Sequence, residues 1–131
     1  MAKVCIIEDD PAFSAALERV ISKSHTVYCF TNTPEDLDEI LSLQPNLILL
    51  DCMLPGETGP NFLHRLRADD RALTTPIVLM SAYHEVVEES KQVVDRFQEF
   101  LKKPCTIRQV LDVVHRHVGG LHAPAEWSAA S

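Results

Sequence analysis

Asn46-Leu47-Ile48-Leu49-Leu50-Asp51-Cys52-Met53-Leu54-Pro55-Gly56 is the stretch whose reading decides the fold. Leu47 to Leu50 are bulky and apolar, they run straight into an aspartate, and Pro55-Gly56 follows as a turn. A short continuous apolar run bounded by turn residues suits a strand buried on both faces of a sheet. An ionised carboxylate inside such a run would be costly unless paired, so Asp51 is expected at the strand's exit. In open parallel α/β sheets ligands bind outside the carboxyl ends of the strands. Asp51 is therefore either a loop cap or a reactive group at the mouth of a site, and the other acids of the chain decide between the two.

Outward from this stretch, further apolar runs end the same way. Val4-Cys5-Ile6-Ile7 leads into Glu8, Asp9 and Asp10; Pro76 to Met80 leaves Ser81 at its exit; a weaker strand from Glu99 to Lys102 ends at Lys103-Pro104. Thr26 to Phe30 is a further β-prone segment. Helical spacing fills the gaps. Asp10 caps and Pro11 opens a helix reaching about Lys23, with Phe13, Ala16, Leu17, Val20 and Ile21 in one stripe. Thr33-Pro34-Glu35-Asp36 reads as the start of a second helix with Leu37, Ile40 and Leu41 inward, stopped by Gln44-Pro45. Cys52 to Gly59 is expected to be loop, Pro60 to open a helix with Phe62, Leu63 and Leu66 inward, and Arg71 to Thr75 to be polar linker. Glu85 to about Asp95 is a fourth helix, and Thr106 caps a last one carrying Ile107, Val110, Leu111, Val114 and Val118, ended by Gly119-Gly120.

Strands alternating with helices in this way predict a doubly wound α/β domain, a parallel sheet covered on both faces with right-handed crossovers. The 131 residues suffice for one core, expected over 1–118, with 119–131 a tail or linker. The net charge of −7 argues against a nucleic-acid surface and is compatible with a local acidic cluster that binds a cation. No apolar run approaches the roughly 20 residues that span a bilayer. The N-terminus has no signal-peptide pattern, so a cytoplasmic protein is expected. Cys5, Cys29, Cys52 and Cys105 lack metal-ligand spacing and are expected to be reduced, Cys5 and Cys29 packing as small hydrophobes in their strands. His115 and His117, two apart on a helix, point in different directions.

Glu8, Asp9, Asp51, Ser81 and Lys103 would then converge on one edge of the sheet. Three carboxylates packed together raise one another's pKa unless something positive intervenes, and Mg²⁺ with the Lys103 ammonium would supply that. Mg²⁺ takes oxygen ligands and is commonly held by one or two carboxylates plus a phosphate. Asp51 could be both a ligand and a nucleophile toward phosphorus, giving an aspartyl phosphate, with Ser81 hydrogen-bonded to a phosphate oxygen. Each residue alone has a plainer reading: Asp10 a cap, Lys103 a solvated lysine, Ser81 a turn residue. Their shared position at strand ends favours the site.

With these residues in hand, the chain resembles the receiver domain of two-component response regulators over about residues 3–118. The resemblance implies a flavodoxin-like sheet with strand order 2-1-3-4-5. By position it makes Glu8 and Asp9 the acidic pair that holds Mg²⁺, Asp51 the phosphorylated aspartate, and the backbone carbonyl of Met53 a further metal ligand. Ser81-Ala82 matches the hydroxyl step and Lys103-Pro104 the Lys-Pro step, whose bond is expected cis. Leu54-Pro55-Gly56 and Gly59 match the loop between, and Phe100 falls at the family's switch aromatic. Thirty residues from Asp51 to Ser81 and 22 from Ser81 to Lys103 suit the family. Arg96-Phe97 stands where Gly-Ala is common, serine replaces the commoner threonine at 81, and Phe100 lacks a tyrosine's hydroxyl. The function implied is a signalling switch rather than an enzyme. Asp51 accepts phosphoryl from a sensor histidine kinase or phosphotransfer protein, and Ser81 and Phe100 relay the change to a partner or fused output domain at the fourth-helix, fifth-strand, fifth-helix face. No nucleic acid or membrane contact is implied for this domain.

Other readings are weaker. The chain has no G-x-x-x-x-G-K-[ST] or G-x-G-x-x-G for a nucleotide. Met53 stands where a haloacid-dehalogenase phosphatase needs a second aspartate, and Asp51 suits a flavin site poorly. A pseudo-receiver, the same fold binding proteins without phosphorylation, is the alternative.

Overall fold

The computed structural model describes residues 2–82 and 99–118. Five strands, β1 (Lys3–Ile7), β2 (Thr26–Phe30), β3 (Leu47–Asp51), β4 (Ile77–Ser81) and β5 (Glu99–Lys102), form one sheet. Its order is β2-β1-β3-β4-β5, every neighbouring pair parallel, as the sequence led us to expect. Leu47, Ile48, Leu49 and Leu50 are wholly buried, which contributes roughly 2 kcal/mol each and offsets the cost of drawing Asp51 in behind them.

The strand period of two divides the core in half. Val4, Ile6, Leu47, Leu49, Val78 and Met80 pack with Leu17 and Ile21 of α1 (Pro11–Ile21) and with Val110, Val113 and Val114 of the C-terminal helix (Ile107–His117). Cys5, Ile7, Ile48, Leu50, Ile77 and Leu79 pack with Ile40 and Leu41 of α2 (Asp38–Leu41) and with Phe62, Leu63 and Leu66 of α3 (Gly59–Arg67). Asp10 caps α1 by accepting from the N–H groups of Ala12 (3.0 Å) and Phe13 (3.4 Å). Thr106 and Gln109 form a reciprocal capping box on the C-terminal helix. Glu99, at the start of β5, is held to that helix's last turn by Arg116 and by His117 Nε2, 2.7 Å away.

The structure departs from the sequence reading in several places. α2 does not begin at Thr33-Pro34. It starts at Asp38, because the carbonyls of Pro34 and Glu35, which a helix would need, accept from the Arg65 guanidinium at 2.9 and 3.3 Å. The segment after Asp51 is not plain loop: Met53–Leu54 pairs antiparallel with Glu57–Thr58 in a small ribbon, turning through Pro55 and Gly56. Gly56 has φ +81°, the left-handed value that glycine provides at this turn. Gly59 then lies so close to Cys52 that a Cβ would sit 2.6 Å from the Cys52 Cα. Asp70–Ala72 is a 3₁₀ turn where linker was expected. Cys29 is exposed on the edge strand, its thiol donating to Glu18 (3.2 Å), rather than packed inside; all four cysteines are free thiols. The expected fourth helix, Arg96-Phe97 and the tail 119–131 lie outside the described residues.

Candidate functional site

The division of the core also sorts the site residues. Along β1 the series Val4, Ile6 continues to Glu8, and along β3 the series Leu47, Leu49 continues to Asp51. Leu101 packs on that same half of the core, and two residues on comes Lys103. Alternation thus delivers two carboxylates and one ammonium to the same side of the sheet edge. The ladder holds them there past the strand ends: Glu8 N–H donates to Phe30 O (3.0 Å) and Lys103 N–H to Ser81 O (2.9 Å).

Glu8 is fully buried, Asp51 nearly so, and Lys103 partly exposed. Lys103 Nζ lies 2.5 Å from Glu8 Oε1 and 3.2 Å from Asp51 Oδ2. The other Asp51 oxygen, Oδ1, accepts from Met53 N–H at 3.1 Å. Burial, and the Asp51 carboxyl beside it, push the Glu8 carboxyl up to about 7 against the pull of Lys103. Asp51 also feels burial. The proton on Glu8, the Met53 N–H and Lys103 together outweigh it and hold the Asp51 carboxyl below the usual range. The ammonium's own burial is likewise outweighed by the two carboxylates, which raise Lys103. The cluster therefore favours an ionised Asp51, a charged lysine and a Glu8 that keeps its proton to higher pH than a free carboxyl does.

A donor set for a hard cation is present. One oxygen each from Glu8, Asp9 and Asp51 lie within 4.8 Å of one another, and Asp9 opens to solvent. Glu8 Oε2 is buried and accepts no hydrogen bond among the described residues. An orphaned buried carboxylate oxygen beside two further carboxylates fits an all-oxygen site for Mg²⁺.

Ser81 is buried at the end of β4, and Lys103-Pro104 is a cis bond, as expected. Phe100 is not part of the charged cluster. It sits opposite Leu79 and packs on the α2–α3 half of the core; alternation from Leu79 puts Ser81 on that same side. Sequence reasoning missed Phe13, whose ring centroid lies 5.4 Å from Lys103 Nζ and adds a cation–π face to the ammonium. With Asp10, Lys103, Pro104 and Cys105 it lines a cleft of about 300 Å³. Its helical spacing signalled core, and nothing local signalled a lysine 90 residues away.

Comparison with known proteins decides the family: the response regulator receiver domain matches residues 4–115. The chain belongs to that family. The receiver is 28% identical over 112 residues to the DNA-binding dual master transcriptional regulator RpaA of Synechocystis. It is 24% identical over 108 residues to hybrid signal transduction histidine kinase D of Dictyostelium discoideum. These matches take in 85% and 82% of the receiver but 46% and 7% of those relatives, so the chain spans less than half the length of either. Among solved structures, chemotaxis protein CheY4 of Vibrio cholerae superposes with a TM-score of 0.79 at 20% identity, covering 89% of this chain and 98% of that one. The receiver domain of a Pseudomonas aeruginosa sensor histidine kinase, solved with magnesium in its active site cleft, gives 0.78 at 20% identity, covering 91% and 98%. These likenesses bear on the fold. Among the described residues no helix is long and apolar enough to cross a membrane.

The raised Glu8 carboxyl makes the metal-free receiver's stability depend on pH. The folded protein holds a proton that the unfolded chain releases near 4.5, so this contribution is complete below 4.5 and is lost as pH rises through about 7. Denaturant midpoints of the metal-free protein should fall across that window and then level off. Glu8→Gln should flatten the curve; a curve already flat in the wild type would count against the raised Glu8 carboxyl.

Proposed function

We propose that this receiver accepts a phosphoryl group on Asp51 in a Mg²⁺-dependent reaction, with a sensor histidine kinase or phosphotransfer protein as donor. The observation that carries the reading is the buried pairing of Asp51 with Lys103 beside the orphaned oxygen of Glu8. Glu8, Asp9, Asp51 and the Met53 carbonyl would hold the Mg²⁺, which when bound supplies positive charge against the phosphoryl oxygens.

The chain's own groups do the rest. Asp51 is kept ionised and so is a competent nucleophile: one of its oxygens bonds to phosphorus as the bond from phosphorus to the donor's leaving group breaks. Met53 N–H and Lys103 hold the carboxylate's orientation beforehand, and the Lys103 ammonium stays in place to neutralise charge spreading over the phosphoryl oxygens. The Ser81 hydroxyl is the proposed donor to one of those oxygens. Ser81 and Phe100 share a side of the sheet, two residues apart in register, which supports a two-state repacking. Ser81 moves toward the phosphoryl group, Phe100 follows, and the surface around β5 and the helices beside it changes for a downstream protein or output domain. In this reading the domain ends near 118, 119–131 is linker, and the receiver acts as a switch in the cytoplasm. The complete set of two acids, acceptor and lysine weighs against a phosphorylation-independent binding module.

Intact-mass analysis after incubation with acetyl phosphate, with and without Mg²⁺, tests the reading. We expect a phosphoryl adduct in the wild type that needs Mg²⁺ and is absent from Asp51→Asn. An adduct that persists in Asp51→Asn would move the acceptor elsewhere. No adduct from acetyl phosphate or from a histidine kinase, together with no Mg²⁺ binding, would favour the binding module.

A further inference from the structure

We infer that the Glu57–Arg65 pair is a positioning device for Asp51, acting through the ribbon that carries Met53. Glu57 accepts from Arg65 in a bidentate arrangement, Oε2 from Nε at 2.8 Å and Oε1 from the guanidinium's second terminal nitrogen at 2.7 Å; Asn61 donates to Oε2 as well. The pair is partly shielded: the Glu57 side chain is 13% exposed and that of Arg65 31%, and the Arg65 guanidinium stacks 5.0 Å from the ring centroid of the fully buried Phe62. The same guanidinium reaches the carbonyls of Pro34 and Glu35. One side chain of α3 thus ties together the segment after β2, the ribbon after β3 and the core.

The connection to the acceptor is short. In the ribbon Glu57 stands opposite Leu54 and Thr58 opposite Met53, so anchoring Glu57 fixes the strand that carries Met53. Met53 N–H is the donor to Asp51 Oδ1. At the far end Gly59 N–H donates to Cys52 O at 2.8 Å, closing the segment on the residue next to Asp51. Contrast the pairing of Arg71 with Asp69 and Asp38, which is exposed and touches nothing that leads to the site. The Glu57–Arg65 pair is held as tightly as a ligand-orienting group needs to be, and geometry rather than charge alone is what it contributes. Insofar as the Met53 carbonyl ligates Mg²⁺, the inference rests on the proposed function; its effect on the Met53 amide does not.

The test uses Glu57→Gln and Arg65→Lys, two variants that keep side-chain bulk but lose the bidentate geometry, with Arg71→Ala as the exposed-pair control. In the metal-free protein, amide hydrogen exchange is followed at Met53 and at Ile48, which lies within β3. We expect Met53 to exchange about tenfold faster in both variants while Ile48 keeps its protection, and Mg²⁺ titration calorimetry to show a dissociation constant raised about tenfold, the usual scale for groups that orient ligands. Arg71→Ala should leave all three readouts unchanged. Unchanged Met53 exchange in the variants, or parallel acceleration at Met53 and Ile48, would overturn the inference by reducing the pair to a general stabiliser. Wild-type protein that binds no Mg²⁺ would instead sink the proposed function, and the Met53-to-Ile48 comparison would still decide the positioning role.

Discussion

Lys103→Ala should slow phosphoryl uptake from acetyl phosphate by about a hundredfold at saturating Mg²⁺, the scale of removing one preorganised charge-stabilising donor. The ammonium is the only cation among the described residues in contact with both Glu8 and Asp51, and Phe13 closes a further side of it. Removing it should also destabilise the fold in a pH-dependent way. At a pH of about 5, Glu8 still carries its proton, and the variant leaves one buried charge uncompensated. The attraction that is lost grows as pH rises and Glu8 ionises in the wild type, while in the variant Glu8 keeps its proton to still higher pH. The loss should reach about 2 kcal/mol, the low side for a broken buried pair because the lysine is part-exposed. Lys103→Arg is not expected to rescue the rate, since a planar fork cannot take the place of a compact ammonium between two carboxylates. A Lys103→Ala rate within twofold of wild type would remove the lysine from the chemistry.

A large stability loss outside the site is expected from Arg67→Ala. Arg67, on the inner face of α3, is only 6% exposed, and its guanidinium donates to the carbonyls of Thr75 (2.8 Å) and Ala72. Those carbonyls belong to the 3₁₀ turn and the lead-in to β4, buried backbone that no ladder serves. Truncating the side chain strands them and opens a void, at a cost of about 3 kcal/mol. Thermal unfolding should drop by roughly 10 °C on that basis. The proposed acceptor site lies at the other end of β4, so the Mg²⁺ requirement expected of the wild type should survive at temperatures where the variant is folded. A shift of a degree or two would show that water satisfies these groups as well as arginine does.

What the sequence disclosed, and what it hid, follows from the range of the interactions involved. Four of the five strands and the meeting of Glu8 and Asp51 were legible because each of those strands is a local run rich in apolar residues and both carboxylates are the first polar residues after theirs. Lys103, behind the polar Lys102 of the weaker β5, joins them in the structure, whereas Ser81 lies on the other side of the sheet. The family resemblance then supplied roles that spacing alone leaves open, such as those of Met53 and Phe100. The misread start of α2 was not a local matter. Thr33-Pro34-Glu35-Asp36 is a fair N-terminal helix signal, and it is overridden by an arginine some 30 residues on that claims the needed carbonyls. The burial of Arg67 was hidden for the same reason, since its partners are backbone oxygens that carry no mark in the sequence. Cys29 looked like core because it lies in a strand, but β2 is an edge strand, and edge position is a property of the assembled sheet.

The sheet, one residue thick, separates two tasks by the parity of residue number. Even and odd positions along the same strand answer to different neighbours, so the acid–lysine cluster and Phe100 share a backbone but not a packing environment, and Ser81, on the Phe100 side, would be the group that joins them. Under the proposed function, changes in Phe100 or the side chains around it would retune the output without redesigning the acid–lysine cluster, and changes in Phe13 or the cleft beside Lys103 would retune the input. Under that function such a domain would be coupled to new donors and new recipients largely one face at a time.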